Sequence, residues 1–147
     1  MLTHPLTVFL VDDCPEIVDA LSRTMSEIES VRIVGRASGV RDSLQQIRNL
    51  RPDVVILDLR LEDGTGLKLL RDLGEMEGKL PCSIVFAADL SAGLHRPCLS
   101  HGAQYVFRKE SSLDQMEALI HHLAVSPRQS PERNVKMNTY ATRTSAV

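Results

Sequence analysis

The chain has 147 residues, 43% hydrophobic and 24% charged, with a formal net charge of -2. That length and balance fit one globular domain with a sizeable core, and no apolar run approaches the roughly 20 residues that cross a bilayer. The amino end lacks the basic segment, apolar stretch and cleavage site of a secretory leader, so a cytoplasmic protein is expected, and Cys14, Cys82 and Cys98 have neither the number nor the spacing of a disulfide framework or zinc site.

Apolar runs alternate with helical periodicity along the body. "TVFLV" (7–11) predicts a first strand. Residues 15–28 predict a helix with Ile17, Val18, Leu21, Met25 and Ile28 on one face, opened by Pro15, whose missing N–H costs nothing in a first turn. "VRIVG" (31–35) is the second strand, followed by a helix over 40–50 with Val40, Leu44, Ile47 and Leu50. "VVIL" (54–57) is the third, followed by a helix over 65–73 with Leu67, Leu70 and Leu73. After the fourth strand, "SIVFA" (83–87), Gly93 and Pro97 oppose a long regular helix, so "ADLSAGLHRPCLSHGA" predicts a short or kinked one. "YVF" (105–107) is the fifth strand, and residues 112–124 predict a last helix with Leu113, Met116, Leu119, Ile120 and Leu123.

Near-continuous apolar strands require cover on both faces. The alternation therefore predicts an α/β fold, three layers of (βα)5, with a parallel sheet wound by right-handed crossovers. Residues 1–125 form the expected domain. Residues 126–147, opening "SPRQSPERN", carry Arg128, Arg133, Lys136 and Arg143 against Glu132 alone and read as a disordered basic tail. The body is acidic on balance and shows no nucleic-acid footprint.

In such a sheet the binding crevice lies beyond the carboxyl ends of the strands. Asp12 and Asp13 follow strand one, Asp58 follows strand three and Lys109 follows strand five. Adjacent carboxylates repel and cost desolvation, but the pair plus Asp58 can hold a hard divalent cation such as Mg2+. Lys109 can pair with phosphoryl oxygens. The bland alternative is a set of ordinary turn acids. Asp53, after Pro52 at the amino end of strand three, reads as a solvated loop carboxylate.

Three stretches in order, "FLVDD", "VVILDLRLEDGTGLKLL" and "GAQYVFRKESS", resemble the receiver domain of bacterial two-component response regulators over about residues 5–125. The resemblance implies a flavodoxin-like sheet of order 2-1-3-4-5. It implies Asp58 as phosphoacceptor and Asp13 as a direct Mg2+ ligand. Asp12 acts in the same pocket through water or Lys109, the backbone carbonyl of Arg60 is a further ligand, and Lys109 pairs with the phosphoryl group. The expected partners are a histidine kinase or histidine phosphotransfer protein and a downstream protein target, with no direct nucleic-acid binding and no membrane insertion. Residues 126–147 are too few for a helix-turn-helix domain.

The departures from the pattern concern the switch. Ala87 stands where the family carries a Ser or Thr, and a methyl group cannot reach for phosphate. Val106, with Tyr105 before it, stands where an aromatic residue usually changes rotamer. Glu62 replaces a common proline, and the usual proline after the lysine is absent. His121 and His122 read as helix-end surface residues. Gly64 and Gly66 lack the spacing of a P-loop and read as a turn into the third helix. Two rivals remain: a pseudo-receiver that binds a partner without phosphorylation, and a small Mg2+-dependent phosphatase or hydrolase using Asp58 as nucleophile.

Overall fold

A computed structural model describes residues 4–90 and 93–126. Five parallel strands form the sheet: β1 (Leu6–Val11), β2 (Val31–Ala37), β3 (Val54–Leu57), β6 (Cys82–Ala87) and β7 (Tyr105–Arg108). Their order is β2-β1-β3-β6-β7, which is 2-1-3-4-5 when the sheet strands are counted alone, as expected. A separate antiparallel hairpin, β4 (Arg60–Leu61) and β5 (Gly64–Thr65), leads into the third helix. Strands of two residues carry no periodic signal, so it escaped the sequence reading.

Every residue of β3 and β6 is buried, which explains their unbroken apolar character. Edge strand β2 is only partly covered. It meets β1 across a register shift between Val8 and Phe9. Phe9, Met25, Ile47, Leu69, Phe107, Met116 and Leu119 are among the largest fully buried side chains.

The helices fall close to their predicted spans. Helix α1 (Pro15–Ser26) opens on its proline but stops two residues short of expectation, before Ser30 takes a left-handed φ of 68°. Helix α2 (Val40–Leu50) matches its prediction and ends on left-handed Arg51, just before Pro52. Helix α3 (Gly66–Gly74) is capped by Thr65, whose hydroxyl accepts from the Lys68 N–H at 3.2 Å. Helix α4 (His95–Ser100) is six residues with Pro97 inside, the short helix expected. Helix α5 (Leu113–Val125) leaves His121 and His122 exposed. No helix among the described residues is long and apolar enough to cross a membrane. The expected tail lies, beyond Ser126, outside the described residues.

Asp53 corrects the sequence reading. It sits at the amino end of the sheet, but it is not a solvated loop acid. Its carboxylate accepts from the Thr7 N–H at 2.9 Å, the Thr7 hydroxyl at 3.1 Å and Lys79 Nζ at 2.7 Å. Its own N–H donates to Thr7 Oγ1 at 2.9 Å. Burial pushes its pKa up, but Lys79 and Thr7 outweigh that and leave it below the usual 3.8. A carboxyl with a depressed folded pKa stabilises above about pH 4, and the contribution fades as pH falls through its folded value. Asp53→Ala is therefore expected to cost about 1–3 kcal/mol at pH 7, and less at pH 3. Urea unfolding at the two pH values checks the sign.

Candidate acidic site

The ladder of the sheet runs one residue past three of its strands and so places the site. The Asp12 N–H donates to the Ala37 carbonyl at 3.1 Å, the Asp58 N–H to Val11 at 2.9 Å and the Lys109 N–H to Ala87 at 2.9 Å. Val11 is level with Leu57, and Val85 with both Leu57 and Val106. Asp12 and Asp58 are therefore level, and Lys109, two residues further along its strand, emerges at the same edge of the sheet.

Lys109 Nζ stands 2.7 Å from Asp12 Oδ2 and 3.0 Å from Asp58 Oδ2, with its side chain 14% exposed. Backbone amides hold the other oxygens. The Cys14 N–H donates to Asp12 Oδ1 at 3.0 Å and the Leu59 N–H to Asp58 Oδ1 at 2.7 Å. Asp12 and Asp58 are buried and Asp13 is exposed. One carboxylate oxygen from each of the three lies within 4.8 Å of the others.

Burial raises the pKa of Asp12, and Asp58 nearby adds to the rise; Lys109 and the Cys14 amide oppose it without cancelling it. Burial also works against the charge of Lys109, but Asp12 and Asp58 outweigh it and raise its pKa. Two carboxylates thus share one ammonium, with the exposed Asp13 carboxylate beside them. The remaining negative charge, presented on hard oxygen donors, is chemically suited to a divalent cation.

All four charged residues singled out in the sequence, Asp12, Asp13, Asp58 and Lys109, meet here. Arg60 opens the hairpin two residues past Asp58, its residue exposed. Ala87 and Val106 are both buried. Tyr105 and Phe107 stack with ring centroids 6.5 Å apart, which puts them on one face of β7 and Val106 on the other. Elsewhere, burial pushes the Cys82 thiol up to about 12 and the Cys98 thiol up to about 11, so both stay protonated at neutral pH.

The sequence reading missed the Cys14 and Leu59 amides, because backbone groups leave no mark in residue type. It read Gly66 as part of the turn into the third helix, where it stands, but not as a residue that packs against the backbone of Asp58. A Cβ there would lie 2.3 Å from the Asp58 carbonyl oxygen and 3.0 Å from Leu59 Cα, both backbone atoms. Gly66→Ala is expected to destabilise the fold by about 1–3 kcal/mol and to shift the Leu59 amide resonance, the direct reporter of the Asp58 carboxylate. Unfolding midpoints and an amide spectrum check both.

The response regulator receiver domain model matches residues 8–121. Among curated proteins, the chain is 30% identical over 112 residues to the DNA-binding transcriptional activator DevR/DosR of Mycobacterium tuberculosis, covering 76% of this chain and 52% of that one. It is 38% identical over 82 residues to the sensory transduction protein LytT of Bacillus cereus, covering 56% and 32%. The chain thus spans about half or less of the length of these relatives. Among solved structures, the signal receiver domain of NarL from M. tuberculosis has a TM-score of 0.75 at 24% identity, covering 85% of this chain and 100% of that one. The response regulator domain of Thermotoga maritima CheB has a TM-score of 0.72 at 18% identity, covering 84% and 100%. Sheet order, the acidic edge and the family match agree: the chain belongs to the response regulator receiver domain family.

Proposed function

We propose that the chain is a phosphoacceptor signalling module of a phosphorelay. Asp58 takes a phosphoryl group from the phosphohistidine of a kinase or histidine phosphotransfer protein, with Mg2+ held by Asp13, Asp58 and the Arg60 backbone carbonyl. Asp12 acts in the same pocket. The observation that carries this reading is Lys109 Nζ bridging Asp12 and Asp58 beside a third carboxylate.

An oxygen of Asp58 attacks phosphorus, the P–N bond breaks, and the imidazole nitrogen leaves with the electron pair. The main obstacle is repulsion, since an anionic nucleophile beside two other carboxylates must approach an anionic phosphoryl group. Bound Mg2+ supplies charge neutralisation to the carboxylates and the transferring oxygens. Lys109 is already charged and within hydrogen-bond distance of Asp58, so it can pair with the phosphoryl oxygens without reorganising. The Leu59 N–H holds the plane of the acceptor carboxylate.

On this reading the chain assists its own phosphorylation and dephosphorylation and is otherwise no enzyme. Residues 1–125 are the working unit, acting in the cytoplasm on a downstream protein. The DNA binding in the name of DevR/DosR is not carried over, because the body of this chain is acidic on balance. Buried Ala87 and Val106 favour a second reading, a pseudo-receiver that binds its partner regardless of phosphate. Incubation with acetyl phosphate and Mg2+, followed by intact mass, separates the two. One phosphoryl group gained by wild type and none by Asp58→Asn supports the first. A folded wild type that gains none supports the second, and turnover beyond one equivalent indicates a hydrolase.

A further inference from the structure

The hairpin β4–β5 leaves directly from the acidic site, and it is too small to hold its own orientation. Its base is closed by the Gly66 N–H on the Leu59 carbonyl at 2.9 Å. Its tip is held from outside. The Asp63 carboxylate spans the first turn of α2, one oxygen accepting from the Val40 N–H and the other from the Arg41 N–H at 3.2 Å. The Glu62 N–H donates to the Ser38 carbonyl at 3.0 Å.

From this geometry we propose that Asp63 is a positioning residue for phosphoryl transfer. By clamping the hairpin onto the amino end of α2, it fixes the backbone of residues 59 and 60, which holds Asp58 and offers the Arg60 carbonyl to the cation. The inference rests on the reading of Asp58 and Mg2+ given above.

Three observations separate a clamp from an ordinary helix cap. Residue 39, in the N-cap position of α2, has the extended backbone that suits Ser or Asp, yet it is a glycine with no side chain to cap with. A Cβ at Gly39 would lie 2.7 Å from Asp63 Oδ1, so the missing side chain is what admits the distant carboxylate. The carboxylate comes from 23 residues further along the chain, from the segment that follows Asp58. A local cap would stabilise α2 equally well but would leave the hairpin held only by the Glu62–Ser38 backbone bond. The two amides also hold the Asp63 pKa below its usual value, as expected for a carboxylate bonded in its charged form.

Coupling between two sites is reciprocal. Mg2+ titrated alone into wild type should therefore shift the amide resonances of Val40 and Arg41 as well as those of Leu59 and Lys109. Asp63→Ala should weaken Mg2+ binding about tenfold, the scale on which groups supporting metal ligands act, and should slow phosphorylation by acetyl phosphate. The deciding variant is Gly39→Ser combined with Asp63→Ala. The serine supplies a local cap in the space the carboxylate vacates, without restoring the tether.

The double variant should recover the melting temperature of wild type while keeping the weakened Mg2+ affinity and the slow phosphorylation. If it recovers all three, Asp63 is a helix cap only and the proposal is overturned. It is equally overturned if Asp63→Ala binds Mg2+ as wild type does. A wild type that binds no Mg2+ and gains no phosphoryl group overturns the parent reading together with this one. Variant effects measured against a working wild type concern Asp63 alone.

Discussion

Lys109→Met is expected to lower stability at pH 7 by about 3 kcal/mol in the absence of divalent cations. Among the described residues, Lys109 is the cation that pairs with both Asp12 and Asp58, and both carboxylates are buried. Removing one partner of a buried ion pair leaves uncompensated charge, at a cost of about 3–5 kcal/mol; exposed Asp13 and the open edge of the site argue for the lower end. The Asp12 pKa, already raised by burial, loses its main opposing influence in the variant. A carboxyl whose folded pKa lies above its unfolded value destabilises at pH 7 and is relieved as pH falls and it protonates. The gap between variant and wild type should therefore narrow toward pH 5. Mg2+ should stabilise the variant more than wild type, because the cation no longer competes with an ammonium for the same oxygens. Phosphorylation should nevertheless slow by about 100-fold, since the charge that meets the phosphoryl oxygens is gone. Urea unfolding at two pH values with and without Mg2+, together with the phosphorylation rate, checks the set. Equal midpoints for variant and wild type would show that the bridge is not the main neutralising contact.

Ala87→Thr is expected to enlarge the response of the protein to phosphorylation. A phosphoryl group shifts an equilibrium only as far as it contacts the two states differently. Ala87 ends β6, buried, with its carbonyl bonded to the Lys109 N–H, and its methyl offers no hydrogen bond to a group on Asp58. Val106 is fully buried and has no polar tip to turn inward. A charge-assisted hydrogen bond restored at residue 87 is worth about 1.5–3 kcal/mol, a factor of roughly 10 to 150 in the population of the switched state. Phosphate-induced shifts around Val106, α4 and α5 should grow accordingly. The added atoms also crowd a packed core, so Ala87→Ser serves as a smaller companion. Equally large shifts in wild type and both variants, at equal phosphate occupancy, would mean that the switch runs through other contacts.

The alternation of strands and helices was legible because it is written in local periodicity. β3 and α2 fell on their predicted spans, and Gly93 and Pro97 announced the short α4. The gathering of Asp12, Asp58 and Lys109 was legible for a related reason. Each directly follows a strand, and parallel strands in register bring their carboxyl ends to one edge. The order 2-1-3-4-5 came from family resemblance, since hydrophobic period says that a strand is covered and not which strand lies beside it.

What escaped the sequence are contacts between residues far apart in the chain whose types are ordinary. Asp53 looked like a loop acid because its partners, Thr7 and Lys79, lie 46 and 26 positions away. Asp63 drew no reading at all because the helix it caps begins 23 positions earlier. A carboxylate within reach of water has the same identity and the same neighbours in sequence as one bonded to a distant amide. The difference arises when the chain closes on itself, because an interaction that decays over a few ångströms responds to distance in space and not to separation along the backbone.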